Sequence, residues 1–452
     1  MKRRKILAVN ATALVVAAAF SASSPVVAAD GDTSVQFYGH LDLSVDGATK
    51  GLDSGRVSGG GAPLTGKMGW QADISSNLSY FGLRGSHDIG GGNRIVFQIE
   101  TQVDVAATPG LSPITNSTTD TKVPAALGSR NSFLGIAGTF GAVKMGKTDA
   151  PYKLSTARMD PFSATVGDYN SVIGNTGGDN RAEFDTRLSH AIWYESNKMG
   201  AFSWSALFAP GQNRASDNSI NASAEPDCTG GNSDFSGQNC TDGSFGDAFS
   251  VAGVYSAGPL YAILAYELHK KVNRTGDEVP GGGDAPAGSV GIVDERAMKA
   301  GVQYTVSPGT IVNVIFERLT RQAPLSDFNE RQHNATWLAL TQKLTAQDDL
   351  NLGWAHAGKT PGDPAAFSRA DGSVGPGPVD NATNMYTVGY KHHFDKQSNW
   401  YAVYARQANH IGAHYDLGAS GHGVTTDCHD AAGHCFEGGT LQAVSVGWMY
   451  SF

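Results

Sequence analysis

The chain has 452 residues, 57 of them glycine, and a formal net charge of −9. An acidic balance of this size disfavours nucleic acid as a partner. Beyond the N-terminal leader, no segment approaches the roughly 18 consecutive apolar residues of a membrane helix, which excludes a helical membrane protein. A membrane β-barrel stays open, because its strands alternate apolar and polar residues and give a hydropathy like that of a soluble protein.

The N-terminus has the layout of a secretory signal peptide. Residues 2–5 are all basic, residues 6–20 are mostly apolar, and the small residues VVAA precede position 30. This layout predicts cleavage after Ala29, so that residues 1–29 are a signal peptide and residues 30–452 form one exported domain. A transmembrane anchor is the alternative, but the apolar segment is short and Pro25 follows it.

Alternation with a period of two dominates the rest of the chain and predicts strands. In SVQFYGHLDLSV (34–45), Phe37, Leu41 and Val45 share one face, while Gln36 and Asp42 share the other. Sixteen segments of about ten residues, the length that crosses a bilayer as a tilted strand, follow this pattern or read as strands. They lie near 34–46, 74–87, 93–104, 129–138, 141–148, 186–196, 201–209, 247–257, 259–270, 294–306, 309–319, 331–344, 349–358, 383–394, 398–408 and 440–452.

The connections between these segments alternate between short and long. Seven are short turns such as IGGGN and NKMG, and eight are longer and polar, such as 210–246 and 409–439. This asymmetry is typical of outer-membrane barrels, which have short periplasmic turns and long external loops. An open sheet in lipid would leave edge amides unpaired, so the sheet must close. The sequence therefore predicts a 16-stranded antiparallel transmembrane β-barrel.

Two segments match the pattern of a phosphate-binding loop, GAVKMGKT (141–148) and GWAHAGKT (353–360). A true phosphate loop follows a strand and opens a helix whose amides face the phosphate. The second match runs into Pro-Gly-Asp-Pro, and in the first match Val143 and Met145 alternate as in a strand. Both are interpreted as strands, and nucleotide binding is the weakest alternative. No catalytic signature is found, so we predict no enzyme activity, no cofactor and no metal.

The four cysteines form two local pairs, Cys228 with Cys240 and Cys428 with Cys435. An exported chain meets oxidising conditions, so two disulfides that close loops are the default interpretation. The segment CHDAAGHC (428–435) also contains two histidines, but its spacing fits no zinc template well.

Several segments together resemble the Gram-negative general porins, most closely the proteobacterial β-class type. The segment SNLSYFGLRGSHDIGGGNRIVFQIET (76–101) is similar to the second and third porin strands. The segment RNSFLGIAGTFGAVKMGKTDAPYKLSTARMDPF (130–162) is similar to strands four and five and the start of the constriction loop. FDKQSNWYAVYA (394–405) resembles the penultimate turn and strand, and the final Phe452 resembles the barrel-assembly signal of the family.

The resemblance implies a homotrimeric channel in the outer membrane of a Gram-negative bacterium, in contact with outer-membrane lipid and lipopolysaccharide. Its partners would be ions and small hydrophilic solutes, which pass by diffusion. It also implies that the third external loop, residues 149–185, folds into the lumen and narrows it.

The family sets basic wall residues against acidic loop residues at this narrowing. Side chains at matching positions are the candidate constriction residues. The basic candidates are His40, Arg84, Lys147 and Arg187; Tyr80 and Trp193 stand where the family has arginines; the acidic candidates are Asp160 and Asp168. Opposed rings of charge select ions, so the loss of two arginines leaves the sign of ion selectivity open.

Two other functions stay open at this point. One is a substrate-specific channel for organic acids or sugars, with Tyr80 and Trp193 as the contact surface. The other is a surface adhesin or receptor barrel whose long loops bind a partner. Conductance across a planar bilayer separates all three, because a diffusion channel gives ohmic steps, a specific channel is blocked by its solute, and an adhesin gives no current.

Overall fold

The computed structural model describes most of the barrel wall and part of the loops. The described residues are 26–30, 32–49, 70–103, 105–106, 127–174, 184–210, 245–272, 293–321, 332–359, 367–368, 374–375, 382–410, 413, 415–417 and 439–452. Within them, no helix is long and apolar enough to cross a membrane.

Sixteen long strands in the described part of the chain form the wall, and each predicted strand is found within a few residues of its expected bounds. They are β1 (Thr33–Thr49), β2 (Trp70–Ser76 and Tyr80–Gly90), β3 (Asn93–Gln102), β4 (Ser132–Gly138), β5 (Gly141–Asp149), β6 (Arg187–Glu195), β7 (Phe202–Ala209), β8 (Ala248–Ala257), β9 (Leu260–Val272), β10 (Val293–Ser307), β11 (Thr310–Arg321), β12 (His333–Lys343), β13 (Asp348–Ala357), β14 (Thr383–His393), β15 (Ser398–Asn409) and β16 (Gly439–Ser451).

The sheet closes on itself as predicted. Every strand pairs antiparallel with the next, and β1 also pairs antiparallel with β16, with Leu41 opposite Tyr450 and Val45 opposite Val446. This last ladder leaves neither end strand with a free edge, which is what a sheet in a bilayer requires. The prediction of a closed 16-stranded antiparallel barrel is confirmed.

Strand β2 is interrupted between its two segments. Both segments pair with β1, and Leu78 at the break has a positive φ of 52°. The Asn77 backbone N–H donates to the Asp42 carbonyl at 2.9 Å, and its side-chain amide donates to the Ser44 hydroxyl at 2.8 Å. Because the side-chain amide of Asn77 also donates to Tyr401 on β15, at 3.1 Å, the break is fixed by hydrogen bonds that cross the lumen side of the wall.

Short turns and long connections alternate around the barrel. The connections 91–92, 139–140, 196–201, 258–259, 308–309, 344–347 and 394–397 lie at one end, and the longer connections leave the other end. The predicted distribution of turns and loops is therefore confirmed. A two-residue ladder between Phe367–Ser368 and Val374–Gly375 lies within one of the longer connections.

A short strand, Val26–Asp30, precedes the barrel and pairs with the start of β1, from Asp30 opposite Thr33 to Val26 opposite Gln36. All but the last of its residues precede the predicted cleavage after Ala29. The division into a signal peptide and a mature domain stays a prediction.

The two faces of the wall differ as period-two alternation requires. Outward side chains are apolar and exposed, for example Met145 at 59%, Leu264 at 70% and Trp448 at 61%. Inward positions between them hold glycine, alanine, polar or charged residues, or larger apolar side chains that are buried inside the barrel. The two phosphate-loop matches lie in β5 and in the end of β13, which confirms their interpretation as strands.

The final residue closes the seam between β16 and β1. The backbone of Phe452 exchanges two hydrogen bonds of 3.0 Å with Gly39, and its ring covers that glycine so closely that a Cβ would lie 2.4 Å from a ring carbon. The ring also lies 5.5 Å from the ring of Phe37. A larger residue at position 39 would displace Phe452 from the seam. Recognition of Phe452 as an assembly signal stays a prediction.

Candidate functional site

The connection between β5 and β6 enters the barrel, as the resemblance implied for residues 149–185. Its described part begins with a helix, α1 (Pro151–Thr156), which continues into a 3-10 turn at Ala157–Met159. Proline suits the first turn of a helix because it has no N–H to satisfy there and its φ is already helical. A second 3-10 turn, Tyr169–Ser171, follows. We call residues 150–174 and 184–186 the lumen loop.

One carboxylate on β11 holds both ends of the lumen loop. Glu317 accepts a hydrogen bond of 2.6 Å from the Tyr152 hydroxyl and one of 2.7 Å from the Gly174 N–H. Lys299, which lies opposite Glu317 in the sheet, forms an ion pair with Asp185 where the loop returns to the wall. All of these side chains are buried. The entry and exit of the loop are therefore tied to adjacent strands.

Backbone carbonyls along α1 and its 3-10 extension accept hydrogen bonds from other strands. The Tyr261 hydroxyl donates to the Ser155 carbonyl at 2.7 Å, and the Trp337 indole donates to the Met159 carbonyl at 3.1 Å. Carbonyls at the end of a helix have no partner within the helix, so these donors replace water. We call the inward side chains that meet the loop the loop-covered wall: Ser250, Tyr261, Lys299, Gln303, Glu317 and Trp337.

An aromatic contact fixes the middle of the lumen loop. The ring of Phe162 is buried and lies 6.2 Å from the ring of Trp337, edge to face. Gly353 and Gly389 lie beneath it, and a Cβ on either would come within 2.9 Å of a Phe162 ring carbon. Because Gly353 on β13 and Gly389 on β14 have no side chains, they leave the space into which the lumen loop packs.

The two predicted acidic residues of the constriction are buried inside the lumen loop. Asp160 accepts from the N–H groups of Phe162, at 2.9 Å, and Tyr169, at 3.1 Å. Asp168 accepts from the N–H groups of Ala164, at 2.8 Å, and Asn170, at 2.9 Å. Both carboxyls thus organise the backbone of the loop. Their role as the acidic side of a charge ring stays a prediction.

Burial also changes how these two carboxyls titrate. It raises the pKa of Asp168 to about 6, and it raises the pKa of Asp160, with a further increase from the negative charge of Asp168. Two carboxyls packed this closely favour a shared proton over two charges. Among the charged residues in the described part of the loop, Arg158 is the exposed one, and its guanidinium lies 4.5 Å above the Tyr261 ring.

On β1 and β2 the structure brings three of the candidate residues together. The rings of His40 and Tyr80, opposite each other in the sheet, lie 5.6 Å apart, and the His40 Nδ1 is 2.9 Å from the Ser451 hydroxyl. Arg84 lies four residues after Tyr80 on the same inward face of β2 and donates from Nε to Gln36 at 2.8 Å.

Three further residues complete this group, and the resemblance did not identify them. Arg84 stacks 4.5 Å above the ring of Tyr38, and Arg130 stacks 4.6 Å above the ring of Tyr80. Glu100 accepts from the Tyr38 hydroxyl at 2.9 Å and pairs with Arg130 at 2.6 Å. Tyr38 and Glu100 stand at inward positions of β1 and β3, so alternation was a usable signal for them; Arg130 precedes β4 and had no such signal. We call this group the basic wall: Tyr38, His40, Tyr80, Arg84, Glu100 and Arg130.

Lys147 and Arg187 lie where the lumen loop leaves and rejoins the wall. Arg187 donates from Nε to Asn131 at 2.7 Å and pairs with Asp149 at 3.2 Å. Lys147 is opposite Ser132, directly after Gly146, whose φ of 144° accompanies an irregularity in the pairing with β6. Contact of either cation with passing solutes stays a prediction.

Trp193 belongs to a different group near the short-turn end of β6. It is 4% exposed, its indole donates to Glu195 at 2.9 Å, and its ring meets the edge of Phe133 at 5.5 Å. Lys144 pairs with the same glutamate at 2.7 Å. Its buried position gives Trp193 a packing role, so it offers little surface to a solute.

The predicted disulfides cannot be placed, because Cys228, Cys240, Cys428 and Cys435 lie outside the described residues. Among the residues that are described, no group of three or more His, Cys, Asp or Glu is arranged to hold a metal ion.

Comparison with protein families and curated proteins gives one consistent answer. A family model described as Gram-negative porin matches residues 11–418. Major outer membrane protein P.IA of Neisseria meningitidis serogroup A is 27% identical over 192 residues, which cover 40% of this chain and 43% of that protein. Major outer membrane protein P.IB of Neisseria gonorrhoeae is 25% identical over 145 residues, 32% of this chain and 36% of that protein. The matched region thus spans less than half the length of these relatives.

Solved structures agree on the fold. An anion-selective porin from Comamonas acidovorans has a TM-score of 0.61 and 17% identity, with 93% of this chain and all of that chain covered. Outer-membrane expressed OmpT of Vibrio cholerae has a TM-score of 0.57 and 12% identity, with 95% and 100% covered. Salmonella typhi OmpF in complex with daunomycin has a TM-score of 0.53 and 14% identity, with 93% and 98% covered.

Proposed function

Because this chain belongs to the Gram-negative porin family, we propose that it forms a water-filled channel in the outer membrane of a Gram-negative bacterium, through which ions and small hydrophilic solutes diffuse. The observation that carries this proposal is the lumen loop, which is fastened to one side of a closed barrel while polar and charged side chains line the other side. A closed barrel with a fixed narrowing suits passive diffusion. Membership of this family favours a channel over an enzyme.

We further propose that the channel prefers anions. Within the described part of the lumen loop, all three acids, Asp160, Asp168 and Asp185, are buried, whereas Arg158 is exposed. The basic wall carries Arg84 and Arg130 against one acid, Glu100. A narrowing with more exposed positive than negative charge raises the local concentration of anions, whatever the net charge of the chain.

Conductance across planar bilayers tests both parts. Purified protein should give large ohmic steps in potassium chloride. The reversal potential in a salt gradient should show that chloride is more permeant than potassium. A protein that folds and inserts without conducting would contradict the channel and support the adhesin or receptor function. Ohmic steps with potassium as the preferred ion would contradict only the anion preference.

A substrate-specific channel for organic acids or sugars is a second candidate, and one observation favours it. Where the family places an arginine, this chain has Tyr80, half-buried beside His40 and beneath Arg130. Such a surface can stack against a planar solute or a sugar ring. Current that falls and saturates as one solute is added, and that recovers in Tyr80→Leu, would support the specific channel. A current that no organic acid or sugar reduces would favour general diffusion.

The assembly proposed for the chain is a homotrimer surrounded by outer-membrane lipid and lipopolysaccharide. Around the seam between β16 and β1 the outer wall exposes aromatic side chains, including Phe81, Trp448 and Tyr450. Such a contiguous apolar area suits contact with a second copy. A species of three times the monomer mass in unheated SDS samples, which dissociates on heating, is the expected result. A monomer at all temperatures and in mild detergent would contradict it.

A further inference from the structure

The break in strand β2 gathers polar side chains on the lumen side of the wall. Asn77, at the break, has its Nδ2 3.3 Å from the Oδ1 of Asp42 and 2.8 Å from the hydroxyl of Ser44. The Ser44 hydroxyl in turn donates to the Oδ2 of Asp46 at 3.0 Å. One amide and one hydroxyl therefore link two carboxylates of β1.

Two neighbouring strands each add a hydroxyl to this group. Ser75, in the first segment of β2, lies opposite Ser44, and Ser445 on β16 lies opposite Asp46. Residues directly opposite each other in an antiparallel pair have Cβ atoms about 4.5–5.5 Å apart. We call this group the strand-break cluster: Asp42, Ser44, Asp46, Ser75, Asn77 and Ser445.

Tyr401 reaches the cluster from β15 across a glycine. Gly447 on β16 lies opposite both Tyr401 and Ser44, and a Cβ on Gly447 would lie 2.1 Å from a carbon of the Tyr401 ring. Because Gly447 has no side chain, the Tyr401 hydroxyl can cross β16 and donate to the Oδ1 of Asp42 at 3.0 Å. Every member of the strand-break cluster is at most 3% exposed. The cluster is therefore shielded from bulk water.

Four oxygens of the strand-break cluster have no hydrogen-bond partner among the described residues. They are the Oδ2 of Asp42, the Oδ1 of Asn77 and the hydroxyls of Ser75 and Ser445. Each of these residues is at most 1% exposed. Burial of a polar atom without a partner is costly, so a buried group of this kind indicates a bound water or ion.

The charge of the cluster favours a cation over water alone. Both oxygens of Asp42 are accounted for, and no ion pair joins Asp42 to any described Lys, Arg or His. Lys391 on β14, opposite Tyr401, acts on Asp42 only electrostatically. A buried carboxylate without a paired cation is unfavourable unless it binds a metal. Asp46 brings a second carboxylate to the same face.

From these contacts we infer that the strand-break cluster binds a calcium ion. The Oδ2 of Asp42, the Oδ1 of Asn77, the carboxylate of Asp46 and the two unpartnered hydroxyls are its protein ligands, and water completes the set. Calcium accepts six to eight carboxylate, amide and water oxygens in flexible geometry, whereas magnesium demands a near-ideal octahedron. The ion ties β1, β2 and β16 together at the place where the ladder of β2 is interrupted.

The test uses purified full-length protein in detergent, stripped of metal with EDTA and titrated with terbium, which occupies calcium sites and emits when a nearby tyrosine is excited. Emission should rise to saturation, because the Tyr401 hydroxyl contacts Asp42. Calcium should displace the terbium, and an equal concentration of magnesium should displace little of it. Competition then gives the calcium affinity.

Substitutions should change this affinity in opposite directions. Asp42→Asn should weaken calcium binding by more than about tenfold, since loss of even a supporting partner of a metal ligand costs 10–100-fold. Lys391→Gln should strengthen it by about threefold, because a positive charge near Asp42 is removed. The matched control is Asp32→Asn, which removes an exposed carboxylate directly before β1 and should bind as the unmodified protein does.

Hydrogen exchange separates this site from calcium bound elsewhere on the protein. Calcium should protect amides of residues 74–80 in the unmodified protein and in Asp32→Asn, and should leave them unchanged in Asp42→Asn. Absence of saturable binding would show that the cluster holds only water and would overturn the inference. So would equal affinities in Asp42→Asn and the unmodified protein, weaker binding in Lys391→Gln, or protection unchanged by calcium. None of these measurements records current, so their outcome is independent of the channel proposal.

Discussion

Two sides of the same lumen behave as different environments. On the loop-covered wall, Glu317, Lys299 and Trp337 have at most 2% of their surface exposed, and each meets the lumen loop or the strand next to it. On the basic wall, His40, Tyr80 and Arg84 are half-buried and meet only other wall residues in the contacts described above. The strands obey one alternation throughout, so the difference comes from the loop.

This contrast divides the inward residues by the property they control. A substitution on the loop-covered wall removes a partner from a buried group, so it should alter the stability of the loop. A substitution near the basic wall changes a charge in contact with water, so it should alter ion flow and leave the fold intact.

The largest effect is expected from Glu317→Ala, which leaves the Tyr152 hydroxyl and the Gly174 N–H without an acceptor. Loss of a carboxyl acceptor from two buried donors should destabilise the closed loop by about 3 kcal/mol, or roughly a hundredfold in amide exchange. Hydrogen exchange over residues 150–174 measures it. Glu317→Gln keeps one strong acceptor and should lose about a third as much. Equal protection from hydrogen exchange in the unmodified protein and both variants would contradict the proposed role of the loop-covered wall.

A second effect follows from the carboxyl pair inside the loop. The pKa of Asp168 is raised from 3.8 to about 6 by burial, so the closed loop binds a proton more tightly than an opened loop does. Stability from this group is complete below about pH 4 and is lost as the pH rises through about 6. After correction for intrinsic exchange, amides near residues 164–171 should be better protected at pH 4 than at pH 7. Because the pKa of Asp160 is raised as well, Asp168→Asn should reduce this pH dependence and Asp160→Asn with Asp168→Asn should remove it. A pH dependence that survives in the double variant would contradict the assignment.

Arg158 tests whether a charge on the lumen loop itself directs ion flow, because it is the exposed charged residue of the described part of that loop. Arg158→Glu should shift the reversal potential towards potassium, by about two- to threefold in permeability ratio, since salt screens a single charge in a wide pore. The control is Arg94→Glu, an exposed cation at the short-turn end of β3. The same shift in both variants would show that a charge at the narrowing affects ion selectivity no more than a charge at the short-turn end does.

The smallest expected effect is that of Lys147→Glu, beside the point where the chain leaves the wall for the lumen. If Lys147 meets passing ions, the reversal potential of the Lys147→Glu channel should shift towards that of a cation-selective channel, by up to about twofold in permeability ratio. Lys147→Gln should give a smaller shift in the same direction. Thermal unfolding checks that both variants fold. An unchanged reversal potential in a folded Lys147→Glu channel would remove this residue from the constriction.

The residue types indicated which side chains face inward, but not whether each of these side chains is buried or in contact with water. Arg84 and His40 alternate with apolar residues on their strands, so their inward position was predictable. Asp160 and Asp168 were expected to supply exposed negative charge, yet both are buried and accept N–H groups of the loop. A linear sequence does not distinguish a carboxylate that accepts backbone N–H groups of a turn from a carboxylate that faces water. Trp193 likewise sits at an inward position, and only its contact with Phe133 and Glu195 shows that it is packed away.

The strands, their number and the end of the barrel at which each connection lies follow from local sequence patterns. Period-two alternation and turn residues act over a few positions, and a sheet in a bilayer has to close. Which inward residues meet water depends on contacts that form only in the folded chain. That choice depends on the path of residues 150–174 across the lumen, which Glu317 on β11 and the space above Gly353 and Gly389 determine. These groups are more than 140 residues from the loop they hold, a separation that local patterns do not encode.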